Sequence, residues 1–200
     1  MVITLPLLAS CDSPRGTGLA PRDAIPPSVD IAGATVTVAT SIGKLSRKET
    51  TTSFSITETP VTVGQYGRCV ELGACSSLAA VGPRCGEGSE SGLAFAELKE
   101  AIDAMPASCA TADQAIAYCS WVGARLPRTA EWMQAARGIE PTRFAWGIDG
   151  PSCDRTNREP RGETCCGAAC NAPETWRVGG HRSGDSPFHV ADCEWPLRTE

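Results

Sequence analysis

Residues 109–138 read CATADQAIAYCSWVGARLPRTAEWMQAARG, and their spacing predicts two short helices joined by a tight, basic loop. Thr111-Ala112-Asp113-Gln114 has the form of a capping box, in which the Thr hydroxyl and the Gln amide each reach a backbone donor left over by the first helical turn. Ala112, Ala115, Ile116, Cys119 and Val122 then recur at three- and four-residue spacing, which predicts one apolar stripe. Gly123 stands where a left-handed residue closes a helix, and Pro127 blocks continuation because it has no N–H to donate. A second helix is predicted from Thr129, with Glu131 in its positive first turn and Gly138 as its stop. Trp132, Ala135 and Ala136 are its buried face. The two helices are expected to pack through Ile116, Trp121 or Val122 against Trp132 and Ala136.

Upstream, Thr62-Val63-Gly64-Gln65 repeats the capping box, followed by a stripe of Val63, Tyr66 and Val70 and a stop at Gly73. Before it, residues 52–57 (TTSFSIT without its first Thr) alternate, with Phe54 and Ile56 on one face, the period of a half-buried strand. Residues 29–38, VDIAGATVTV, place β-branched residues around a Gly and predict a hairpin or a bulged strand. Residues 44–52 read as a polar connector. Residues 12–28, DSPRGTGLAPRDAIPPS, are rich in Pro, Gly and Ser without periodicity, the composition of a flexible tether. Between residues 74 and 108 the only regular signal is a short helix expected over 95–102.

Two blocks, SFSITETPVTVGQYGRCVELGAC and AIAYCSWVGARLPRTAEWMQAARG, resemble in this order the entry segment and the helix-loop-helix signature of the formylglycine-generating enzyme (sulfatase-modifying factor) family. Phe144-Ala145-Trp146-Gly147 resembles the family's aromatic-Pro-Trp-Gly turn, with Ala145 in place of Pro. Val178-Gly179 and residues 184–192, GDSPFHVAD, resemble its V-G…G-x-S-P-x-G-V-x-D segment. His189 stands there where the family has Gly, so a bulky side chain is expected to strain a turn that needs positive φ. The resemblance implies an α+β, C-type-lectin-like formylglycine-generating enzyme fold, irregular and stiffened by disulfides. It runs from Phe54 to Asp192 and stops before the family's G-N-V-W-E-W block, so the carboxy-terminal part is expected to be missing. The implied organisation is a signal or lipobox segment at 1–11, a linker at 12–28, a partial sulfatase-modifying factor domain at 29–192 and a non-homologous tail at 193–200.

Composition narrows the compartment more than the chemistry. The chain has 200 residues, 42% apolar and 20% charged, enough for one globular domain. A net charge of −5 and the lack of a Lys/Arg cluster exclude a binder that tracks nucleic-acid phosphates. No apolar run approaches the roughly 18 residues of a membrane-spanning helix. Eleven cysteines suit disulfides in an oxidising compartment, because Cys165-Cys166 with Cys170 does not reproduce the paired spacing of a zinc site. Residues 1–10, MVITLPLLAS, are apolar, and Leu8-Ala9-Ser10-Cys11 matches a bacterial lipobox. Cys11 is therefore expected to be lipidated, which would leave an even ten cysteines to pair.

Cys69, Cys75, Cys85, Cys109, Cys119, Cys153, Cys165, Cys166 and Cys170 are the disulfide candidates, and sequence does not fix their pairing. Cys109 and Cys119 are not expected to bridge, because two helical turns separate them by more than about 7 Å. Cys165 and Cys166 are not expected to bridge each other, and Cys193 is assigned to the tail. The resemblance implies oxidation of a substrate cysteine with oxygen and a copper ion held by two thiolates. No cysteine here lies in the matching motif, so no catalytic residue is assigned, and copper is expected only with the missing part present. It also implies calcium, with Asn157 as one ligand, although six to eight oxygens are needed and a turn-forming Asn is the alternative. His181 and His189 read as exposed loop histidines. Arg125 and Arg128 are expected to hold a carboxylate or the loop backbone, and Trp121, Trp132 and Trp146 to lie in the core. The expected protein is a domain of this family on a secreted or surface-anchored bacterial lipoprotein, not catalytically competent as given. Its partner is an unknown protein or surface ligand, its location is extracytoplasmic, and its membrane contact is only through the lipid. The alternatives are a non-catalytic surface-binding module on the same scaffold or an inactive truncated product.

Overall fold

The computed structural model describes residues 11, 20–39, 46–78, 100, 102–108, 110–140, 142–152, 154–156 and 177–193. Within them lie β1 (Ser28–Ile31), β2 (Thr35–Ala39), β3 (Ser46–Thr50), β4 (Phe54–Thr57), α1 (Val63–Glu71), α2 (Ala112–Trp121) and α3 (Thr129–Arg137). Short 3-10 turns occur at Arg22–Ala24 and Arg182–Gly184. β1 pairs antiparallel with β4, and β2 antiparallel with β3, as two separate sheets. The class is α+β.

Both capping boxes form. Thr62 Oγ1 accepts from Gln65 N at 3.1 Å while Gln65 Oε1 accepts from Thr62 N at 3.0 Å. Thr111 and Gln114 exchange the same pair at 3.3 and 2.8 Å. Each box satisfies donors that a helix start leaves over, with the Thr contributing about 1 kcal/mol. The helix ends match as well. Gly73 (φ 72°) and Gly123 (φ 79°) are left-handed, and the next N–H, of Ala74 or Ala124, bonds back to the carbonyl of Cys69 or Cys119. Those backward bonds make a Schellman ending, which a residue with a Cβ closes less readily.

The stripe of α2 is rotated from the expected one. Ala115, Tyr118, Cys119 and Val122 are buried, whereas Ile116 is 50% exposed and Ala112 is exposed. Tyr118 goes inside because its ring stacks on Tyr66 of α1 at 5.8 Å and its hydroxyl donates to the carbonyl of Ala24. A partnered hydroxyl removes the penalty of burying it, and the ring then contributes more apolar area than isoleucine.

The expected contact between α2 and α3 is also corrected. α2 packs on α1, in a cluster that includes Val61, Tyr66, Cys69 and Val122 with Trp121 and Leu126 half-buried at its edge. α3 packs on β2, with Ala130 against Val36 and Val38. Its Ala135 and Ala136 join Ile31, Phe54 and Ile56, and Trp132 lies half-buried at their margin. The loop at 124–128 thus carries the chain from one cluster to the other, and the two stripes face different neighbours.

Three upstream expectations change for physical reasons. Residues 29–38 do not form one hairpin, because β1 and β2 enter different sheets. At the switch between them a Cβ on Gly33 would lie 2.5 Å from the Thr51 carbonyl oxygen. Residues 44–52 are not simply a connector, because residues 46–50 form β3 in register with β2 from Thr35↔Thr50 to Ala39↔Ser46. That strand is almost wholly solvated, so it carries no apolar alternation to read. Residues 20–28 of the supposed tether are packed: Ala24 is fully buried, Arg22–Ala24 lies on α1 and Ser28 opens β1. Their Pro-rich composition rules out periodicity, not packing. Phe54 and Ile56 do share the buried face of β4, at 7% and 0% exposure. The helix expected over 95–102 and the tail after Cys193 fall almost entirely outside the described residues.

Candidate functional site

Cys11 is bonded to Cys119 on the buried face of α2, with Cα atoms 5.4 Å apart and a sequence separation of 108. A sulfur in a disulfide cannot also form the thioether of a lipid anchor, so the two fates of Cys11 exclude each other, and the structure holds the disulfide. Cys69 is bonded to Cys75, brought back to the end of α1 by the left-handed turn at Gly73. Cys85, Cys109, Cys153, Cys165, Cys166, Cys170 and Asn157 lie outside the described residues. Cys193, assigned to the tail, is buried in the cluster with Ile31 and Phe54.

The basic loop between α2 and α3 closes on a carboxylate. Glu131 is fully buried. Arg125 grips it with both fork nitrogens, Nη1 to Oε2 and Nη2 to Oε1, each at 2.8 Å. Arg128 donates to Oε1 from Nε at 3.0 Å and Nη2 at 2.7 Å, and to Oε2 from its backbone N at 2.7 Å. Burial pushes the Glu131 carboxyl up, but the hydrogen bonds from Arg125 and Arg128 outweigh it and hold it down to about 2. Charged hydrogen bonds to an ionised acceptor have this effect. Glu131 is therefore a fixed anion at neutral pH and not a proton carrier. Both expected roles for the arginines are present, since Arg125 Nη1 also donates to the loop carbonyl of Leu126 at 3.0 Å.

The second charged constellation is the loop 177–193. Ser186 organises its turn: the Oγ accepts from Phe188 N and Val190 N, both at 3.2 Å, and the backbone exchanges Ser186 N to Val190 O at 2.9 Å. His189 adopts φ 60°, so the sequence-based expectation of a positive-φ position holds. Asp192 is also left-handed, at φ 56°, and its Oδ2 accepts from Gly179 N at 2.7 Å. The loop is tied to the core by Ala191 N donating to Glu58 O at 2.8 Å and Val178 N donating to Ala104 O at 3.0 Å. Asp185 has a side chain only 7% exposed beside Arg182 at 3.3 Å, and its Oδ1 is buried without a hydrogen-bond partner. Burial raises the carboxyls of Asp185 and Asp192, with Arg182 opposing at the first and the Gly179 N–H at the second. His189 is exposed and His181 half-buried.

The aromatic turn beside this loop is rigid. Phe144 and Gly147 exchange backbone bonds at 2.9 and 3.1 Å, and the Phe144 and Trp146 rings stack at 5.1 Å. Ala145, in the position of the family's Pro, is buried.

Neither metal implied by the resemblance finds its donors among these residues. Copper(I) takes a pair of thiolates, whereas Cys11, Cys69, Cys75 and Cys119 are held in disulfides. Among the described residues no group of three or more His, Cys, Asp or Glu could hold a metal ion. The described arrangement fixes loops and charges. Sequence reasoning missed the burial of Glu131, although the R-x-x-R-x-x-E spacing from Arg125 carried the signal. It also missed Gln134, a fully buried side chain that donates to Ala32 O at 2.8 Å and accepts from Thr51 Oγ1 at 2.6 Å.

Comparison with known proteins agrees with the two sequence blocks. The profile of the sulfatase-modifying factor enzyme 1-like domain matches residues 17–168. A formylglycine-generating enzyme of Thermomonospora curvata is 50% identical over 36 residues, which are 18% of this chain and 12% of that enzyme.

Proposed function

Because the chain belongs to the sulfatase-modifying factor enzyme 1-like domain family, we propose that it acts as such a domain outside the cytoplasm, on the lectin-like scaffold implied by the resemblance. In this reading the described residues supply scaffold and presented loops, not catalytic thiols. The observation that carries the reading is the pair of disulfides, Cys11–Cys119 and Cys69–Cys75. Both lie in one buried cluster, and structural disulfides of this kind persist in oxidising compartments. No helix among the described residues is long and apolar enough to cross a membrane, which suits an exported domain. The relative is named for generating formylglycine, but the shared segment is only 12% of its length.

A binding role for the same scaffold is the second reading, supported by two exposed side chains. Ile139 and Ile148, which precede and follow the stacked Phe144–Trp146 turn in sequence, are 52% and 82% exposed, two apolar side chains that a protein partner would cover. The test incubates the oxidised protein with a cysteine-containing peptide, copper and oxygen and follows the peptide by mass spectrometry. An unmodified peptide is expected. Conversion of its thiol to an aldehyde would overturn the non-catalytic reading, and recovery of the protein with reduced thiols from the cytoplasm would overturn the location.

A further inference from the structure

We propose that the Cys69–Cys75 disulfide is a clamp that sets the start of α2 from the end of α1, acting through residues 75–77 and Gln114. The bond joins the last turn of α1 to the chain just past Gly73. There the backbone has turned back, and the N–H groups of Ala74 and Cys75 both donate to Cys69 O. Cys69 and Cys75 are both buried, so the bond fixes the point from which Ser76 and Ser77 leave the core. The two serines are exposed, and polar contacts hold them in place. Ser76 O accepts from the Tyr66 hydroxyl at 2.9 Å. Ser77 O and Ser76 Oγ accept from Gln114 Nε2 at 2.9 and 3.2 Å.

Gln114 is where the constraint passes to α2. Its amide oxygen accepts from Thr111 N at 2.8 Å and caps the helix, while its amide nitrogen is committed to the segment behind Cys75. One planar amide therefore serves two helices, and its orientation is fixed from both sides. The Tyr66 ring whose hydroxyl holds Ser76 also stacks on Tyr118 of α2 at 5.8 Å. A capping box needs only the oxygen, which a Glu supplies as well as a Gln. The bonds from Nε2 are surplus to capping, and they couple the helix start to the disulfide. The clamp closes when the two thiols lose two protons and two electrons to a small-molecule disulfide, which becomes two thiols. With the bond open, residues 75–77 lose their covalent hold and Gln114 is left to cap α2 without it.

The test follows amide hydrogen exchange by NMR on the full, oxidised chain, at Thr111, Gln114 and Ala115 and, as reference, along α3. A reductant would also cut Cys11–Cys119 on α2 itself, so the clamp is opened with Cys75→Ser. Exchange at the three α2 positions is expected to speed up about tenfold, the scale of losing one or two hydrogen bonds, with α3 unchanged. Gln114→Glu keeps the capping oxygen and removes the Nε2 donor, and it should produce the same speeding. Adding Cys75→Ser to it should bring less than about twofold more, because both changes open one connection. Native exchange rates in either variant overturn the clamp, and so do effects that multiply in the double variant. Equal speeding along α3 would make the bond a general brace and overturn it too. If Cys75→Ser does not fold, Gln114→Glu in the disulfide-bonded chain decides the question. Non-reducing peptide mapping is expected to recover Cys69 joined to Cys75, and any other pairing overturns the clamp. Native exchange in Gln114→Glu with that bond intact would overturn the clamp and leave the proposed location standing.

Discussion

Replacing Glu131 with Gln tests the charged elbow between α2 and α3 most directly. The change keeps the shape of the side chain but removes its charge and turns one acceptor oxygen into an NH₂ group facing N–H donors. Five donors converge on the carboxylate, four from guanidinium groups and one from the Arg128 backbone. Losing a buried charged partner costs about 3–5 kcal/mol when the other charges stay buried. Here Arg125 and Arg128 are 45% and 64% exposed, so their freed guanidiniums rehydrate and the cost falls to about 2–4 kcal/mol. The carboxyl gives an independent figure: its drop from 4.5 to about 2 corresponds to about 3 kcal/mol of pH-dependent stability.

The sign follows from the depressed folded value. The contribution is fully present above the unfolded value of 4.5 and is lost as pH falls toward 2. Urea unfolding of native sequence and Glu131→Gln across that window should therefore show a gap of about 3 kcal/mol at neutral pH that closes as pH falls. Taking the difference between the two proteins cancels the titration of Asp185 and Asp192. A gap below about 0.5 kcal/mol at neutral pH, the scale of an ordinary surface substitution, would refute the elbow. So would a full gap that persists near pH 2.

Three further substitutions probe the loop 177–193. His189→Gly should stabilise the chain by up to about 1 kcal/mol, since φ 60° strains a residue with a Cβ and the gain is partly offset by unfolded-chain entropy; an unfolding midpoint that falls would contradict this. Gly184→Ala should cost about 3 kcal/mol or more, because its Cβ would lie 1.9 Å from the Arg155 carbonyl oxygen and the backbone there must move. A thermal melt within a degree or two of the native sequence would remove that contact from consideration. Asp192 has a raised carboxyl, so its ionisation favours unfolding and stability should fall as pH rises from its ordinary value of 3.8 through the higher folded value. Asp192→Asn keeps an acceptor for Gly179 N and should flatten that part of the pH profile; an unaltered profile would assign the effect elsewhere.

Local signals were the legible ones. Capping boxes, glycine stops and the Phe54/Ile56 alternation depend on neighbours within a few residues, and each appears where the spacing put it. The positive φ at His189 was legible from the family's Gly at that position. What the spacing did not carry was which neighbour each stripe meets. Ile116 and Tyr118 are both plausible inward residues on one helix, and only Ala24, far away in sequence, decides for Tyr118 by accepting its hydroxyl. β3 was hidden because a solvated strand needs no apolar pattern, and the packing of residues 20–28 because proline-rich chain can pack without period. In the charged elbow the arginines were recognised and their anion was not. Glu131 read as a helix-start residue, and its burial depends on both guanidiniums arriving together.

The division of the apolar residues between α2 and α3 has a consequence for how the molecule breathes. Amide protons on the α1–α2 side are shielded by one set of contacts, and those on α3, β1 and β4 by another. Units with separate contacts open separately, each with its own free energy. The elbow at Arg125, Arg128 and Glu131 is the joint at which one opening is felt by the other. With the two disulfides intact, the α1–α2 half should exchange its amides last. Reducing them should bring its exchange toward that of the other half, and loosening the elbow should let the two exchange without regard to each other.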